Sequence, residues 1–193
     1  MKYYAVKGVD FENIYESWDE AKNVISNISN PKYKSFSTRE EALAFLRGEE
    51  LFDSITEPKC YIDGSYNQAN DTYSFGGILI INNDAIEFKR AFGPDEYSQY
   101  RNVSGEIRGT AYIINYCQKK GINKLHIFYD YIGIEKWYKM EWKANTEIAI
   151  RYQDFAKSMN GKIEVIFHKV KSHTNNLYNE RADKLAKEAL GIL

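Results

Sequence analysis

Four carboxylates stand where acidic side chains could do chemistry together: Asp63, Glu106, Asp130 and Asp183. Asp63 lies within a predicted strand, Glu106 lies in the first turns of a predicted helix, and Asp130 ends another predicted strand. Each acid alone has a structural explanation, as a turn residue, a first-turn helix acid or a helix cap. Four acids in apolar surroundings, on elements that converge, instead favour a shared site.

Asp183 raises a question about its partner. It lies beside the apolar stripe of the last predicted helix, next to Ala182, Leu185 and Ala186. A carboxylate in that position costs free energy to desolvate unless a positively charged group meets it. The sequence therefore predicts a cation close to Asp183.

The chemistry of the four acids points to divalent metal ions. Carboxylates that pack together repel one another, and hard oxygen donors without His or Cys companions suit Mg²⁺ or Mn²⁺. Two such ions about 3.5–4 Å apart form the clamp used for in-line phosphoryl displacement. One ion lowers the pKa of an attacking water and the other stabilises the leaving 3′-oxygen, so no side-chain nucleophile is needed.

The predicted elements after residue 60 explain how the acids converge. Their order is βββαβααβα, and the short connections between the first three strands are typical of an antiparallel meander. Helices separate strands 1, 4 and 5, which are therefore expected to be parallel members of a mixed sheet whose strand ends gather ligands. The strands are predicted at 60–65, 73–82, 85–92, 124–129 and 162–170, and the helices at 107–120, 134–142 and 146–159, before the last helix.

The beginning of the chain predicts a small, separate α+β module. Its strands are predicted at 3–6, 13–17 and 33–36, and its helices at 18–28 and from a cap at Ser37 or Thr38 to 46. An acidic stretch closed by Pro58 follows it and is predicted to be a linker. The expected organisation is a module over 1–47, a linker over 48–59 and a larger domain over 60–193.

Aromatic residues of the module have two interpretations. Tyr4 and Trp18 could simply fill a small core. Together with Tyr33 and Lys34, they could instead form a stacking surface with a cation beside it, which suits the bases and sugars of a nucleic acid. Residue types alone leave both alternatives open.

Composition limits the class of protein. The chain has 193 residues, with 26 Lys plus Arg against 27 Asp plus Glu, which disfavours a nucleic-acid binder that relies on bulk charge but leaves local patches open. Cys60 and Cys117 have no CxxC spacing and are expected to be buried free thiols. Because no apolar run approaches the roughly 18 residues of a membrane span, we expect a soluble, cytoplasmic protein without membrane association, and a monomer by default.

Three blocks of residues near the N-terminus carry a family resemblance. In order along residues 1–47 they are Tyr3-Tyr4-Ala5-Val6-Lys7-Gly8; Ile14-Tyr15 with Trp18-x-Glu20-Ala21-Lys22; and Tyr33-Lys34-Ser35-Phe36-Ser37-Thr38-x-Glu40-Glu41-Ala42-x-x-Phe45-Leu46. They resemble the hybrid-binding module that precedes many cellular ribonucleases H and also occurs in a plant-virus inclusion-body protein. The resemblance implies binding of RNA–DNA hybrid or double-stranded RNA through Tyr4, Trp18, Tyr33 and Lys34. Ser35 departs from the family, which often has a second basic residue there.

A second resemblance covers about residues 60 to 190. Its blocks are Tyr61-Ile62-Asp63-Gly64-Ser65, Val103-Ser104-Gly105-Glu106, Phe128-Tyr129-Asp130-Tyr131-x-Gly133-Ile134-Glu135-x-Trp137, Val170-Lys171-x-His173 and Asn179-Glu180-x-Ala182-Asp183. They resemble the ribonuclease H family. This implies a ribonuclease H-like α/β fold, a mixed five-stranded sheet flanked by helices, preceded here by the small α+β module.

The resemblance also implies an activity and roles for residues. The expected enzyme is an endonuclease that cuts the RNA strand of RNA–DNA hybrids, independently of sequence, with two Mg²⁺ ions, leaving 5′-phosphate and 3′-hydroxyl ends. The four acids are then the catalytic metal ligands, and His173, ten residues before the last acid, assists proton transfer or product release. Asn102 falls where the family contacts the minor groove, and Asn179 either contacts RNA or caps its helix.

The sequence departs from the family pattern at several positions, and two alternative functions remain open. Val103 and Ile132 replace an Asn and a Gln that the family often uses for substrate contacts. A basic protrusion found in some family members is reduced here to a stripe, much of which amphipathic packing explains: Lys136, Tyr138, Lys139, Trp142 and Lys143. The alternatives are a non-catalytic binder of hybrid or double-stranded RNA, and another nuclease of the same fold, such as a resolvase or integrase core.

Overall fold

The computed structural model describes residues 2–8, 11–36, 38–47, 55–170 and 177–192. The chain divides into two compact units, Met1–Thr56 and Glu57–Leu193. Within the described residues, no helix combines the length and apolar character that crossing a membrane requires.

The first unit is a three-stranded antiparallel sheet with two helices. Its strand order is β2-β1-β3, and its core is built on Ala5, Phe36, Ala42 and Leu46. Its elements are β1 (Tyr3–Lys7), β2 (Glu12–Tyr15), α1 (Trp18–Ile25), β3 (Lys32–Phe36) and α2 (Arg39–Arg47).

Helix α1 ends three residues earlier than the apolar spacing predicts. The Asn27 amide donates to the Val24 carbonyl at 3.0 Å, three residues back, which tightens the chain into a turn. The Ser26 hydroxyl and the Asn27 side-chain amide also bond to helix carbonyls, so polar side chains compete with further helical bonds.

The second unit contains the larger sheet. Its elements are β4 (Lys59–Asn67), β5 (Thr72–Ile81), β6 (Asp84–Phe92), a 3₁₀ turn (Ser98–Tyr100), α3 (Asn102–Lys119), β7 (Lys124–Tyr129), α4 (Gly133–Tyr138), α5 (Glu147–Met159), β8 (Glu164–Lys169) and α6 (Leu177–Ala189). The strand order is β6-β5-β4-β7-β8. Strands β4, β5 and β6 form an antiparallel meander, whereas β7 is parallel to both β4 and β8. The predicted fold class, a mixed five-stranded sheet with flanking helices, is confirmed.

Helices α3 and α6 cover opposite faces of the sheet. A Cβ on Gly109 of α3 would lie 2.8 Å from the Cβ of Phe75, whereas one on Gly76, the next residue of β5, would lie 2.2 Å from the Ala186 nitrogen of α6. Because neighbouring strand residues point to opposite faces, the two contacts place one helix on each face. Buried apolar side chains fill the α3 face, among them Ile62, Leu79, Ile113, Ile127, Tyr152 and the free thiols of Cys60 and Cys117.

The helix predicted over 134–142 is wrong at its C-terminal end, because α4 stops at Tyr138. Met140 has a φ of 59°, in the left-handed region that ends helices. The chain then turns back, so that the Trp142 amide donates to the Lys136 carbonyl at 3.1 Å and the Trp142 ring packs on Trp137. Apolar spacing could not distinguish this folded-back turn from another helical turn.

Candidate active site

Three of the four predicted acids come together beside the central strands β4 and β7 of the larger sheet. Asp63, Glu106 and Asp130 each offer a carboxylate oxygen, and these oxygens all lie within 4.8 Å of one another. We call these residues the acid triad.

Strand register places two members of the triad side by side. Tyr61 of β4 pairs with Phe128 of the parallel strand β7. Asp63, in the middle of β4, and Asp130, directly after β7, each lie two residues beyond this pair, so they reach the same level where β7 ends beside β4. Open α/β sheets bind ligands outside the carboxyl ends of their strands, and the carboxyl end of β7 lies here.

Glycines allow α3 to bring Glu106 to the same place. A Cβ on Gly64 would lie 2.2 Å from the Asn102 carbonyl oxygen and 2.9 Å from the Glu106 Cγ. A Cβ on Gly105 would lie 1.8 Å from the Ser74 carbonyl oxygen. Any larger residue at either position would push the first turn of α3 away from the sheet, so both glycines permit the close approach.

Burial and mutual repulsion make the triad electrostatically unfavourable on its own. Glu106 is only 2% exposed, and burial, followed by the charges of Asp130 and Asp63, raises its pKa well above the ordinary range. Burial and then Asp130 raise the pKa of Asp63 to about 7, although the Gly64 amide donates to its Oδ1 at 2.7 Å.

The triad fits a divalent cation. The Asn102 side-chain amide donates to Glu106 Oε1 at 3.2 Å, and the Tyr131 backbone amide also lowers the pKa of Glu106. Glu106 Oε2 is nevertheless buried, with no partner at hydrogen-bond geometry among the described residues. A buried carboxylate oxygen without a partner costs free energy that a metal ion would recover. Hard oxygen donors alone favour a cation of the Mg²⁺ type.

Asp183 lies near the triad but has its own partner. Lys187 Nζ, one helical turn further along α6, lies 2.7 Å from Asp183 Oδ2. The negative charge of Asp183 raises the pKa of Asp63, and the positive charge of Lys187 lowers it, so both groups act on the triad. Among the described residues, the group of side chains whose ligand atoms lie within 4.8 Å of one another does not include Asp183.

Sequence reasoning missed two residues of this region. Lys187 belongs to none of the motifs, although its i, i+4 spacing from Asp183 indicates a helical ion pair. Tyr131 directly follows Asp130, and its ring lies 5.8 Å from that of Trp137. Burial and the charge of Glu106 raise the pKa of the Tyr131 phenol, so Tyr131 forms part of the wall beside the triad.

The remaining predicted catalytic and substrate-binding residues of the larger unit are His173, Asn102 and Asn179. His173 lies outside the described residues. Asn102 opens α3 and is exposed, with its amide directed to Glu106. Asn179 is the third residue of α6 and partly exposed, so it lies within the helix and not at the flanking N-cap position.

The short basic and aromatic stripe around α4 is already engaged within the protein. Lys136 forms an ion pair with Glu141, and Lys139 lies 2.6 Å from Glu135. The Tyr138 ring packs against Phe167 with its centroid 5.1 Å away. Packing and ion pairing therefore account for much of this stripe.

In the first unit, three predicted contact residues form an aromatic surface. The Trp18 ring lies 5.4 Å from Tyr4 and 6.1 Å from Tyr33, and these residues line a cavity of about 220 Å³. Trp18 is 42% exposed and Tyr33 52%, which fits a stacking surface better than a core. Lys34 also lines the cavity, but its ammonium lies over the Phe36 ring, 5.4 Å from the centroid.

Comparisons with known proteins found two family matches, one for the beginning of the chain and one for the larger remaining part. Residues 2–46 match the family described as Ribonuclease H1 N-terminal domain, and residues 56–191 match the RNase H family. A Clostridium botulinum protein named Ribonuclease H is 26% identical over 139 residues, which cover 67% of this chain and 93% of that protein. A Chlorobium luteolum Ribonuclease H is 33% identical over 60 residues, covering 30% of this chain and 41% of that protein.

Solved structures share the fold of the larger unit. An RNase H1 crystal structure from the archaeon Halobacterium salinarum has a TM-score of 0.58 and 21% identity, and covers 71% of this chain and 99% of its own. An N-terminal RNase H domain from Mycobacterium tuberculosis has a TM-score of 0.58 and 17% identity. The match covers 71% of this chain and 95% of the Mycobacterium tuberculosis chain. The family match over residues 56–191, more than half of the sequence, shows that the chain belongs to the ribonuclease H family.

Proposed function

We propose that this protein is an endonuclease that hydrolyses the RNA strand of RNA–DNA hybrids, independently of sequence, and leaves 5′-phosphate and 3′-hydroxyl ends. Membership of the ribonuclease H family supports the activity on hybrids. The single observation that carries the chemistry is the acid triad with the unpartnered, buried Glu106 oxygen. Such an arrangement is costly for stability and is typical of functional sites.

Under this proposal, Asp63, Glu106, Asp130 and Asp183 hold two Mg²⁺ ions, for which Mn²⁺ can substitute. When bound, the ions supply Lewis-acid stabilisation and an activated water for in-line phosphoryl displacement. The protein itself positions these ligands. The Gly64 amide donates a hydrogen bond to Asp63, and the Asn102 side-chain amide donates one to Glu106. His173 is proposed to assist proton transfer or product release.

The resting protonation of the site also belongs to the proposed mechanism. Because burial raises the pKa of Asp63 to about 7 and raises the pKa of Glu106 well above its ordinary value, the metal-free site binds protons more readily than ordinary carboxylates do. Those protons must leave before the carboxylates can act as ligands. The acids thus serve as ligands only, and the attacking group comes from water.

Substrate recognition is proposed to use two surfaces. Tyr4, Trp18, Tyr33 and Lys34 of the first unit contact the duplex, and their support is the exposed aromatic surface. Asn102 and Asn179 contact the strand beside the triad. A-form duplexes have a wide minor groove lined with 2′-hydroxyls, which separates hybrids from duplex DNA, and double-stranded RNA is a further ligand of the first unit.

The proposed organisation is a binding module over 1–47, a linker over 48–59 and a catalytic domain over 60–193. The family matches, which cover residues 2–46 and 56–191, support this division. We further propose that the protein acts as a monomer in the cytoplasm.

A panel of labelled substrates tests the proposed function. Hybrid, duplex DNA, double-stranded RNA and a four-way junction of matched length are incubated with the full chain and Mg²⁺. We expect cuts only in the RNA strand of the hybrid, at many positions, and ends that a ligase requiring a 5′-phosphate can join. Equal cutting of duplex DNA or the junction would favour another nuclease of this fold, and binding without cutting would favour a non-catalytic binder.

A further inference from the structure

A groove runs along the face of α3 that is turned away from the acid triad. Four residues of the helix are spaced i, i+3, i+4 and i+7 and share this face: Arg108, Ala111, Tyr112 and Asn115. Phe92 of β6 and Phe155 of α5 join them around a cavity of about 440 Å³. Helical periodicity puts Glu106 on the opposite, buried side of α3, so the groove is separate from the triad.

A second cavity continues this groove. Its volume is about 270 Å³, and it shares Arg108, Ala111 and Phe155 with the first cavity. Tyr97 and Arg151 belong to the lining of the second cavity. We call the two adjoining cavities the α3 groove. Their continuity makes a long depression, which suits a chain-like ligand better than one compact molecule.

The α3 groove places guanidinium groups beside aromatic rings. The Arg90 guanidinium lies 5.1 Å from the centroid of the Phe92 ring, and that of Arg108 lies 4.6 Å from the same centroid. The Tyr112 ring packs on Phe75 with centroids 5.5 Å apart, yet Tyr112 remains 43% exposed. Part of this large ring is therefore open to a ligand.

The three arginines of the groove differ in their acidic partners. Arg108 lies 3.4 Å from Asp95, and Arg151 lies 2.6 Å from Glu147. Arg90 is exposed and forms no ion pair with any residue that the structure describes. A guanidinium that is held over a ring and carries an uncompensated charge is complementary to phosphate.

We propose that the α3 groove binds single-stranded DNA, with a base stacked on Tyr112 and a phosphate held by Arg90. Exposed rings beside cations are the elements with which proteins bind single strands without sequence preference. A duplex lacks this complementarity, because its bases already cover one another. The inference rests on the proposed function for the source of the ligand, since cutting the RNA strand of a hybrid leaves its DNA strand unpaired.

Fluorescence anisotropy with a labelled oligothymidylate tests the stacking contact. The full chain carries Trp18→Ala, which weakens the surface of the first unit, and a chelator keeps the triad free of metal. Tyr112→Leu should weaken binding at least about fivefold, because the stacking ring is lost, whereas Tyr112→Phe should keep the affinity of the Trp18→Ala parent. An abasic oligomer of the same length should bind both variants equally, since it has no bases to stack.

The salt dependence of the same affinity tests the phosphate contact. Arg90→Gln should reduce the slope of log affinity against log salt by about 0.7, the value for one phosphate contact on a single strand. Lys89→Gln is the matched control, because the neighbouring residue of β6 points to the other face of the sheet, where it pairs with Glu188. This control should leave the slope unchanged.

Several results would overturn the inference. They are equal affinities of Tyr112→Leu and Tyr112→Phe, equal changes of slope in Arg90→Gln and Lys89→Gln, and no measurable binding of the oligonucleotide. Tighter binding of oligouridylate, or of an acidic aromatic peptide of equal charge, would overturn the assignment to DNA. A blunt hybrid that the wild type leaves uncut would overturn the proposed function instead, whereas the oligonucleotide affinities alone decide the role of the groove.

Discussion

Asp63 and Glu106 come from different elements, a strand and a helix, yet their carboxylate oxygens lie within 4.8 Å of each other. Glu106 is buried, and the charge of Asp63 adds to the burial that raises the pKa of Glu106. Two glycines, Gly64 and Gly105, allow this approach. The fold therefore holds together groups that repel one another in the absence of a cation.

Replacing one of these acids should stabilise the metal-free protein. In Asp63→Asn we expect the free energy of unfolding at pH 8 with a chelator to rise by about 1–3 kcal/mol, because repulsion and the desolvation of one charge disappear. Denaturant unfolding measures this difference. Asp154→Asn is the matched control, since Asp154 is exposed and paired with Lys157, and its removal should change stability by less than about 0.5 kcal/mol.

The pH dependence of that difference follows from the pKa of Asp63. Its folded-state pKa of about 7 lies above the unfolded value of about 3.9, so the folded state binds more protons between these values. The wild type should therefore lose stability relative to Asp63→Asn as pH rises from 4 to 7, with no further change above that. A constant difference across this range would contradict the assignment.

Metal binding should compete with protons. We expect the apparent affinity for Mg²⁺ to increase as pH rises from 6 towards 7, by up to about tenfold per unit for each proton displaced, because Asp63 loses its proton over this range. Titration in buffers of different ionisation enthalpy would also reveal the protons released. An affinity that stays flat below pH 7 would show that the acids are already ionised.

The partly buried pair of His126 and His168 should make the protein acid-labile. His126 Nδ1 lies 2.8 Å from His168 Nε2, and burial, followed by the charge of His126, lowers the pKa of His168 to about 4. The neutral form therefore stabilises the fold fully above the unfolded pKa of about 6.5, and this contribution is lost as pH falls from 6.5 towards 4. His168→Gln should show a loss of stability over this range that is smaller by about 2–3 kcal/mol. Parallel pH profiles for the two proteins would contradict this.

Trp18 should contribute to binding and not to the chemical step. Stacking on an exposed aromatic contributes about 1–3 kcal/mol per base, so Trp18→Ala should weaken hybrid binding about 5- to 100-fold while the rate at saturating substrate stays unchanged. Steady-state kinetics on a long hybrid separates KM from kcat. Phe11→Ala, another exposed aromatic of the same unit, should leave both constants close to wild type. Equal loss of kcat in Trp18→Ala would show that Trp18 has a structural role.

The fold was largely predictable because its strands carry clear apolar runs and turn residues. Asn82 and Asn83, for example, both have positive φ and form the tight hairpin predicted between β5 and β6. The end of α4 was not predictable in the same way. Trp142 continues an apolar spacing, but the left-handed backbone at Met140 folds it back onto Trp137.

For the candidate site, motif spacing identified the acids but not their electrostatic partners. The ion pair between Asp183 and Lys187 depends on side-chain geometry, which residue spacing permits without requiring. The pairing of His126 with His168 depends on strand register, which places His168 opposite Phe128 and diagonally across from His126. Exposure of Trp18 likewise depends on which side of a small core the aromatic rings occupy.

The most direct test of the central claim is single-turnover cleavage of an end-labelled RNA–DNA hybrid by the full chain with Mg²⁺, compared with Asp130→Asn. We expect the wild type to cut the RNA strand, and the variant to bind the hybrid with similar affinity but to cut on the order of 10³-fold more slowly, because a ligand of the metal ions is lost. Asp154→Asn should retain the wild-type rate. No cleavage by the wild type, or an undiminished rate in Asp130→Asn, would contradict the account.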